Sequence, residues 1–181
     1  MENASKALTM AASILVGVLI ISFAVFLYST YVGFASDNAK KNEKNFINEF
    51  NTQYTKYYGT TLKTIINSKG KEEEILEPIL CTIHDVITLS NLARENNIQY
   101  EMNGNDYLKY SGKENTFYIQ IDLKLGNETK QNIERKSLKE KTDIIKKYSL
   151  NSNNKVVNFV CTECKISKIT KRVYYMKFEM Y

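Results

Sequence analysis

The hydrophobic positions of this chain fall into two regimes. From Ala7 to Gly33 the sequence reads ALTMAASILVGVLIISFAVFLYSTYVG, apolar on every side of a helix. About 20 such residues at 1.5 Å each cross a bilayer core of about 30 Å, so the run predicts a membrane helix. No Gly or Pro follows until Gly59, and Ala39, Phe46, Phe50, Tyr54 and Tyr57 recur at helical spacing among Lys, Asn and Glu. One long helix is expected, apolar all round at first and then amphipathic. The stripe Phe46, Phe50, Tyr54 and Tyr57 could face the chain's own distal domain or neighbouring copies. The first is the expectation, because amphipathic helices usually cover their own core.

Past Gly59 the pattern changes period. Leu62 to Asn67 is a short weak element, and Glu72-Glu73-Glu74 reads as a solvated acidic run. Pro78 suits the first turn of a second helix, Pro78 to Glu95, with Ile79, Ile83, Val86, Ile87, Leu89 and Ala93 as its apolar face and Asn96-Asn97 as its end. Ile98 to Met102 reads as a strand. Asn103-Gly104-Asn105 is a turn signal, with Tyr107 to Tyr110 as the returning partner. Thr116 to Leu125 alternates strictly: Phe117, Ile119, Ile121, Leu123 and Leu125 lie on one side, Tyr118, Gln120, Asp122 and Lys124 on the other. That pattern predicts a half-buried antiparallel strand. Lys130 to Tyr148 reads as a surface helix and Asn151 to Asn154 as a loop. Lys155 to Ser167 and Arg172 to Tyr181 read as two closing strands, Tyr174, Met176, Phe178 and Met180 on the buried alternation. The fold class is α+β: a transmembrane helix continuing into an amphipathic one, then a small antiparallel sheet with two or three short helices. The segments are a tail 1–6, a membrane helix 7–35, a helical extension 36–58 and an α+β domain 59–181.

Charge sharpens the division. Ala7 to Ser36 holds no charged side chain, while the rest of the 181 residues hold all 25 Lys and Arg and all 20 Asp and Glu. A cleaved signal peptide needs an apolar stretch of roughly 7–15 residues; this one is longer, and Glu2 accompanies Lys6 before it. The helix is therefore expected to be retained. The net charge of +5 is interspersed with acids rather than gathered on a stripe, which argues against nucleic acid as a partner. Lys40, Lys41 and Lys44 favour a cytoplasmic C-terminus by the positive-inside rule, but Asp37, Glu43 and Glu49 accompany them and folded domains translocate largely regardless. With the cysteines and the Tyr- and Asn-rich distal region, an extracellular domain is the expectation.

Candidate chemistry is sparse. Cys161-Thr-Glu-Cys164 lies in a β-branched run, where residues 161 and 164 of a regular strand face opposite ways; a thioredoxin-like motif would instead open a helix. Cys81-x-x-His84 completes a four-ligand zinc set on paper. The preferred expectation is a structural disulfide from Cys81 to Cys161 or Cys164. His84 beside Cys81 lacks the orienting third group of a nucleophilic pair, and Lys168, Lys171 and Arg172 read as a solvated basic tip. No phosphate loop, dinucleotide fingerprint, zinc-protease or nucleophile-elbow motif occurs. The expectation is a non-enzyme with no cofactor and no metal.

A short polar start, a membrane helix running on as an amphipathic helix, and a C-terminal α+β domain resemble type IV pilins and pilin-like subunits. Pilins carry a Gly-Phe or similar cleavage junction and a Glu five residues into the mature helix. Here no Gly precedes the apolar run, and Glu2 is the only acid in the first 36 residues. The start MENASKAL, Phe50-Asn-Thr-Gln-Tyr-Thr-Lys-Tyr-Tyr-Gly59 and Asp85-Val-Ile-Thr-Leu-Ser-Asn-Leu-Ala93 are also similar to a group of single-span Gram-positive membrane proteins that brings no established activity. The pilin resemblance implies a membrane-anchored surface or filament subunit, with the bilayer and identical subunits as partners. The alternatives are a single-span accessory protein of a secretion or conjugation system, and a thiol-redox membrane protein.

Overall fold

The computed structural model describes residues 2–68, 70–102 and 105–181. It divides into two units, Met1–Phe46 and Ile47–Tyr181, with helix α1, Glu2–Thr55, contributing to both. In the first unit the apolar side chains are exposed throughout: Leu19, Phe23 and Phe26 all keep more than 60% of their surface. This is the one helix among the described residues long and apolar enough to cross a membrane, with a mean hydropathy of 2.7 in its best window. Three of its hydroxyls bond back into the helix: Thr9 donates to the Ser5 carbonyl, Ser13 to Thr9 and Thr30 to Phe26, at 2.8–2.9 Å.

The second unit holds strands β1 Thr60–Ile66, β2 Glu72–Pro78 and β3 Leu80–Thr82, helix α2 Ile83–Gln99, and a 3₁₀ turn Asn105–Lys109. Strands β4 Gln120–Lys124 and β5 Gln131–Asn132, helix α3 Leu138–Tyr148, and strands β6 Asn158–Ile166 and β7 Val173–Met180 follow. β1 and β2 form a separate antiparallel hairpin, and the others make one sheet in the order β3-β6-β7-β4-β5. β6 and β7 are the closing hairpin that the pattern predicts. The expected purely antiparallel sheet is corrected to a mixed one, because β4 runs parallel to β7. This makes β4 an interior strand, so Tyr118 and Asp122 are buried as well as Ile119, Ile121 and Leu123.

Several element boundaries also differ from expectation. Pro78 ends β2 opposite Thr60 instead of opening a helix. The start of α2 is set by a capping box at Thr82: its side chain accepts from the Asp85 N–H, and Asp85 accepts from the Thr82 N–H. Cys81 is therefore a strand residue. The run Glu72-Glu73-Glu74 is exposed but belongs to β2. α2 passes through Asn96 and Asn97, because their amides find tertiary partners. Asn96 Nδ2 donates to the Phe117 carbonyl at 2.7 Å, and Asn97 makes a two-way bond with the Ile119 backbone at 2.8 and 2.9 Å. That extension takes up the first two residues of the expected strand Ile98 to Met102, the rest of which forms a turn, and Tyr107 lies in the 3₁₀ turn. Asn103 and Gly104 of the expected turn lie outside the described residues. α3 begins only at Leu138, after a second capping box between Ser137 and Glu140.

The core lies between α2 and one sheet face. Ile83, Val86, Leu89 and Ala93 meet Ile119, Ile121, Leu123, Phe159, Met176 and Phe178, all at or near zero exposure. Full burial of side chains this size is worth about 1.5–3 kcal/mol each. On the closing strand Met176 and Phe178 are core residues as expected, whereas Met180 reaches the sheet's end and is exposed.

Candidate functional site

The amphipathic stripe is divided by the structure. Tyr54 is 1% exposed in the core, with Phe50 and Tyr57 packed against it, and the Phe50 and Tyr54 rings lie 5.2 Å apart. Phe46 belongs to the other unit and is 60% exposed. Asn51 fastens this end of α1 to the β6–β7 turn: its Oδ1 accepts from the Val173 N–H at 2.9 Å and its Nδ2 donates to the Lys171 carbonyl at 2.8 Å. Arg172 is no solvated tip. It is 6% exposed, stacks over Phe50 at 3.7 Å, and donates to Tyr100 Oη and Asn96 Oδ1 at 2.9 Å. Tyr100 stacks in turn on Phe117 at 4.5 Å. A planar guanidinium among aromatic faces is a role that lysine does not fill.

The expected disulfide is corrected. Cys81, Cys161 and Cys164 are all free thiols. β3 does lie against β6, but the register sets Cys81 opposite Phe159, leaving Cys161 as the diagonal neighbour. Diagonal pairs stand roughly 7–8 Å apart, beyond the usual reach of the bond. Cys81 Sγ donates to the Phe159 carbonyl and Cys161 Sγ to the Glu163 carbonyl. A β-bulge at Thr162 places Cys161 opposite Phe178 and Cys164 opposite Met176. Both thiols therefore turn towards the core, where a regular strand would separate them. Burial pushes Cys81 and Cys161 up to about 12 and Cys164 up to about 11, the opposite of a reactive thiolate. His84 stands near Ser149 Oγ, at 3.5 Å, and no group of three potential metal ligands occurs among the described residues.

A polar cleft that sequence reasoning passed over lies between α2 and the turn leading into α3. It has a volume of about 110 Å³, is partly open to solvent and is lined by Arg94, Asn97, Tyr118, Glu134 and Arg135. The floor is buried: Glu134 is 1% exposed, Tyr118 and Asn97 2%. Tyr118 Oη donates to Glu134 Oε1 at 2.8 Å, and the Ile121 N–H donates to Oε2 at 3.0 Å, so the carboxyl completes the hydrogen bonding of β4. Desolvation nevertheless dominates and raises Glu134 to about 7. Nearby Lys141, 2% exposed and donating to Asn91 Oδ1 at 2.8 Å, is lowered to about 8 by burial and by Arg94. Two buried groups of opposite sign, each pushed towards neutrality, are thus placed close to neutral pH. The signal available in the sequence was the Ser137-x-x-Glu140 box. It starts α3 at Leu138 and so leaves Ile133 and Glu134 outside the helix; their burial is read only from the structure.

No protein-family model, curated protein or solved structure matches this chain.

Proposed function

We propose that this protein is a non-enzymatic, membrane-anchored subunit resembling a pilin, displaying its α+β domain outside the cell and associating with identical subunits. The observation that supports this most directly is α1 itself. It is a single 54-residue helix whose apolar half is exposed on all sides and whose last turns are built into a folded domain through Phe50, Asn51 and Tyr54. The protonated, buried cysteines favour this reading over a thiol-redox one.

One observation favours the alternative of an accessory protein that binds a partner. The β1–β2 hairpin stands apart from the main sheet and exposes Leu62, Ile66 and Leu76 at 65–75%. An isolated two-stranded hairpin is marginal in water, so a partner that covers it would add stability. Negative-stain electron microscopy and in-membrane cross-linking of native material separate the readings. Filaments or a cross-linked ladder of the chain are expected for the subunit. A monodisperse chain with one foreign cross-linked protein would replace it with the accessory role. Protease treatment of intact cells should digest the domain, and complete protection would reverse the orientation.

A further inference from the structure

We infer that the cleft between α2 and the turn into α3 binds a small oxyanion, a phosphate or carboxylate group held between Arg94 and Arg135. This goes beyond the anchoring role and does not depend on it. The chain has 22 lysines and three arginines, and two of those three form the rim of this one cavity. Arginine's planar fork suits bidentate contact with carboxylate and phosphate, which lysine cannot reproduce.

The geometry leaves that fork available. Neither Arg94 nor Arg135 forms an ion pair among the described residues. Arg135 sits over the Tyr107 ring, its guanidinium carbon 3.3 Å from the centroid, a contact that restrains the group. Arg94 uses one donor on the Lys136 carbonyl, at a long 3.5 Å. Below them, Asn97 is committed to the Ile119 backbone and Tyr118 to Glu134, so these two side chains do not occupy the rim donors, and Glu134 is the floor group that opposes an anion when charged. The cleft is open on one side, and its volume of about 110 Å³ is well above the roughly 10–15 Å³ that one water needs, room for a small anionic group.

Charge on the floor gives the site a pH signature. Glu134 accepts from Tyr118 ahead of β4, lines the cleft with Arg135 of its own turn and Arg94 of α2, and acts on Lys141 of α3. Loss of the Glu134 charge on acidification removes a carboxylate that faces the bound anion. Acetate, which stays largely ionised over this range, therefore binds more tightly at pH 5.5 than at pH 8.

The test uses the full chain in neutral nanodiscs, labelled with ¹⁵N-arginine and titrated with inorganic phosphate, acetate and dioctanoyl phosphatidate. Three side-chain Nε–H signals are present, and those of Arg94 and Arg135 should shift saturably while that of buried Arg172 stays still. Phosphate or acetate acting alone assigns a free anion, and phosphatidate alone a lipid headgroup. Arg94→Gln and Arg135→Gln should each weaken binding about tenfold or more, with Lys155→Gln as the equal-charge control leaving it unchanged. No saturable shift with any probe, or all three arginines responding alike, would overturn the assignment. It needs no variant to fold.

Discussion

Replacing Glu134 by Gln should flatten the pH dependence of stability in a defined window. Glu134 sits at about 7 in the folded chain because burial disfavours its charge, whereas an unfolded glutamate titrates near about 4.3. Between those values the folded state holds a proton that the unfolded state has released. Stability therefore falls as pH rises from about 4.5 to 7, and is constant above and below as far as this group is concerned. At 1.36 kcal/mol per pH unit the loss is about 3–4 kcal/mol. Gln imitates the protonated acid, since its amide can donate to Tyr118 Oη while its carbonyl accepts from the Ile121 N–H. The variant should match the parent at pH 4.5 and exceed it by about 3–4 kcal/mol at pH 7.5. Lys141, lowered to about 8, acts at higher pH and with the other sign. The unfolded lysine binds the extra proton between about 8 and 10.4, so stability there rises with pH. Urea unfolding of the full chain in non-ionic detergent, from pH 4.5 to 7.5, isolates Glu134. With 13 Tyr and no Trp, near-ultraviolet circular dichroism reports the tyrosine environment. Equal pH slopes in parent and variant would refute the reasoning.

Tyr54→Ala should destabilise the distal domain by about 3–5 kcal/mol, the range for a buried aromatic, while Phe46→Ala should cost under about 0.5 kcal/mol in the same urea assay. A large effect at Phe46 would show that residue to be covered. Cys81, Cys161 and Cys164 should resist iodoacetamide at pH 8 in the native chain and all react in 6 M guanidinium, read by intact mass. Modification of the native chain at a free-thiol rate would contradict their placement. Lys171 has φ of 59°, so Lys171→Gly should stabilise the domain by about 1 kcal/mol; a destabilisation would show that its side chain matters more than its backbone.

The parts of the fold legible in the sequence are those whose cause is local. The exposed helix follows from thirty uncharged residues in a row, and needs no partner to be recognised. The alternation from Phe117 to Leu125 and the two runs that close the chain carry their period within themselves, and β4, β6 and β7 lie within them. Even the starts of α2 and α3 were present as Thr82-x-x-Asp85 and Ser137-x-x-Glu140, outweighed in the reading by Pro78 and by a long charged run.

What only the tertiary structure decided depends on register and on partners distant in the chain. A one-residue bulge at Thr162 changes the face on which Cys164 sits, and the β3–β6 register offers Cys81 a phenylalanine where a disulfide needs a cysteine. Asn96 and Asn97 stay helical because backbone groups more than twenty residues away accept and return their hydrogen bonds. Arg172 looks like one more surface charge until Phe50, Tyr100 and Phe117 surround it. Glu134 is one of 20 acids in the sequence, and its near-neutral titration is created by the protein packed over it. Periodicity and composition identify the segments that are stable by their own pattern. The chemistry of a side chain is set by its surroundings, and those exist only once the chain has folded.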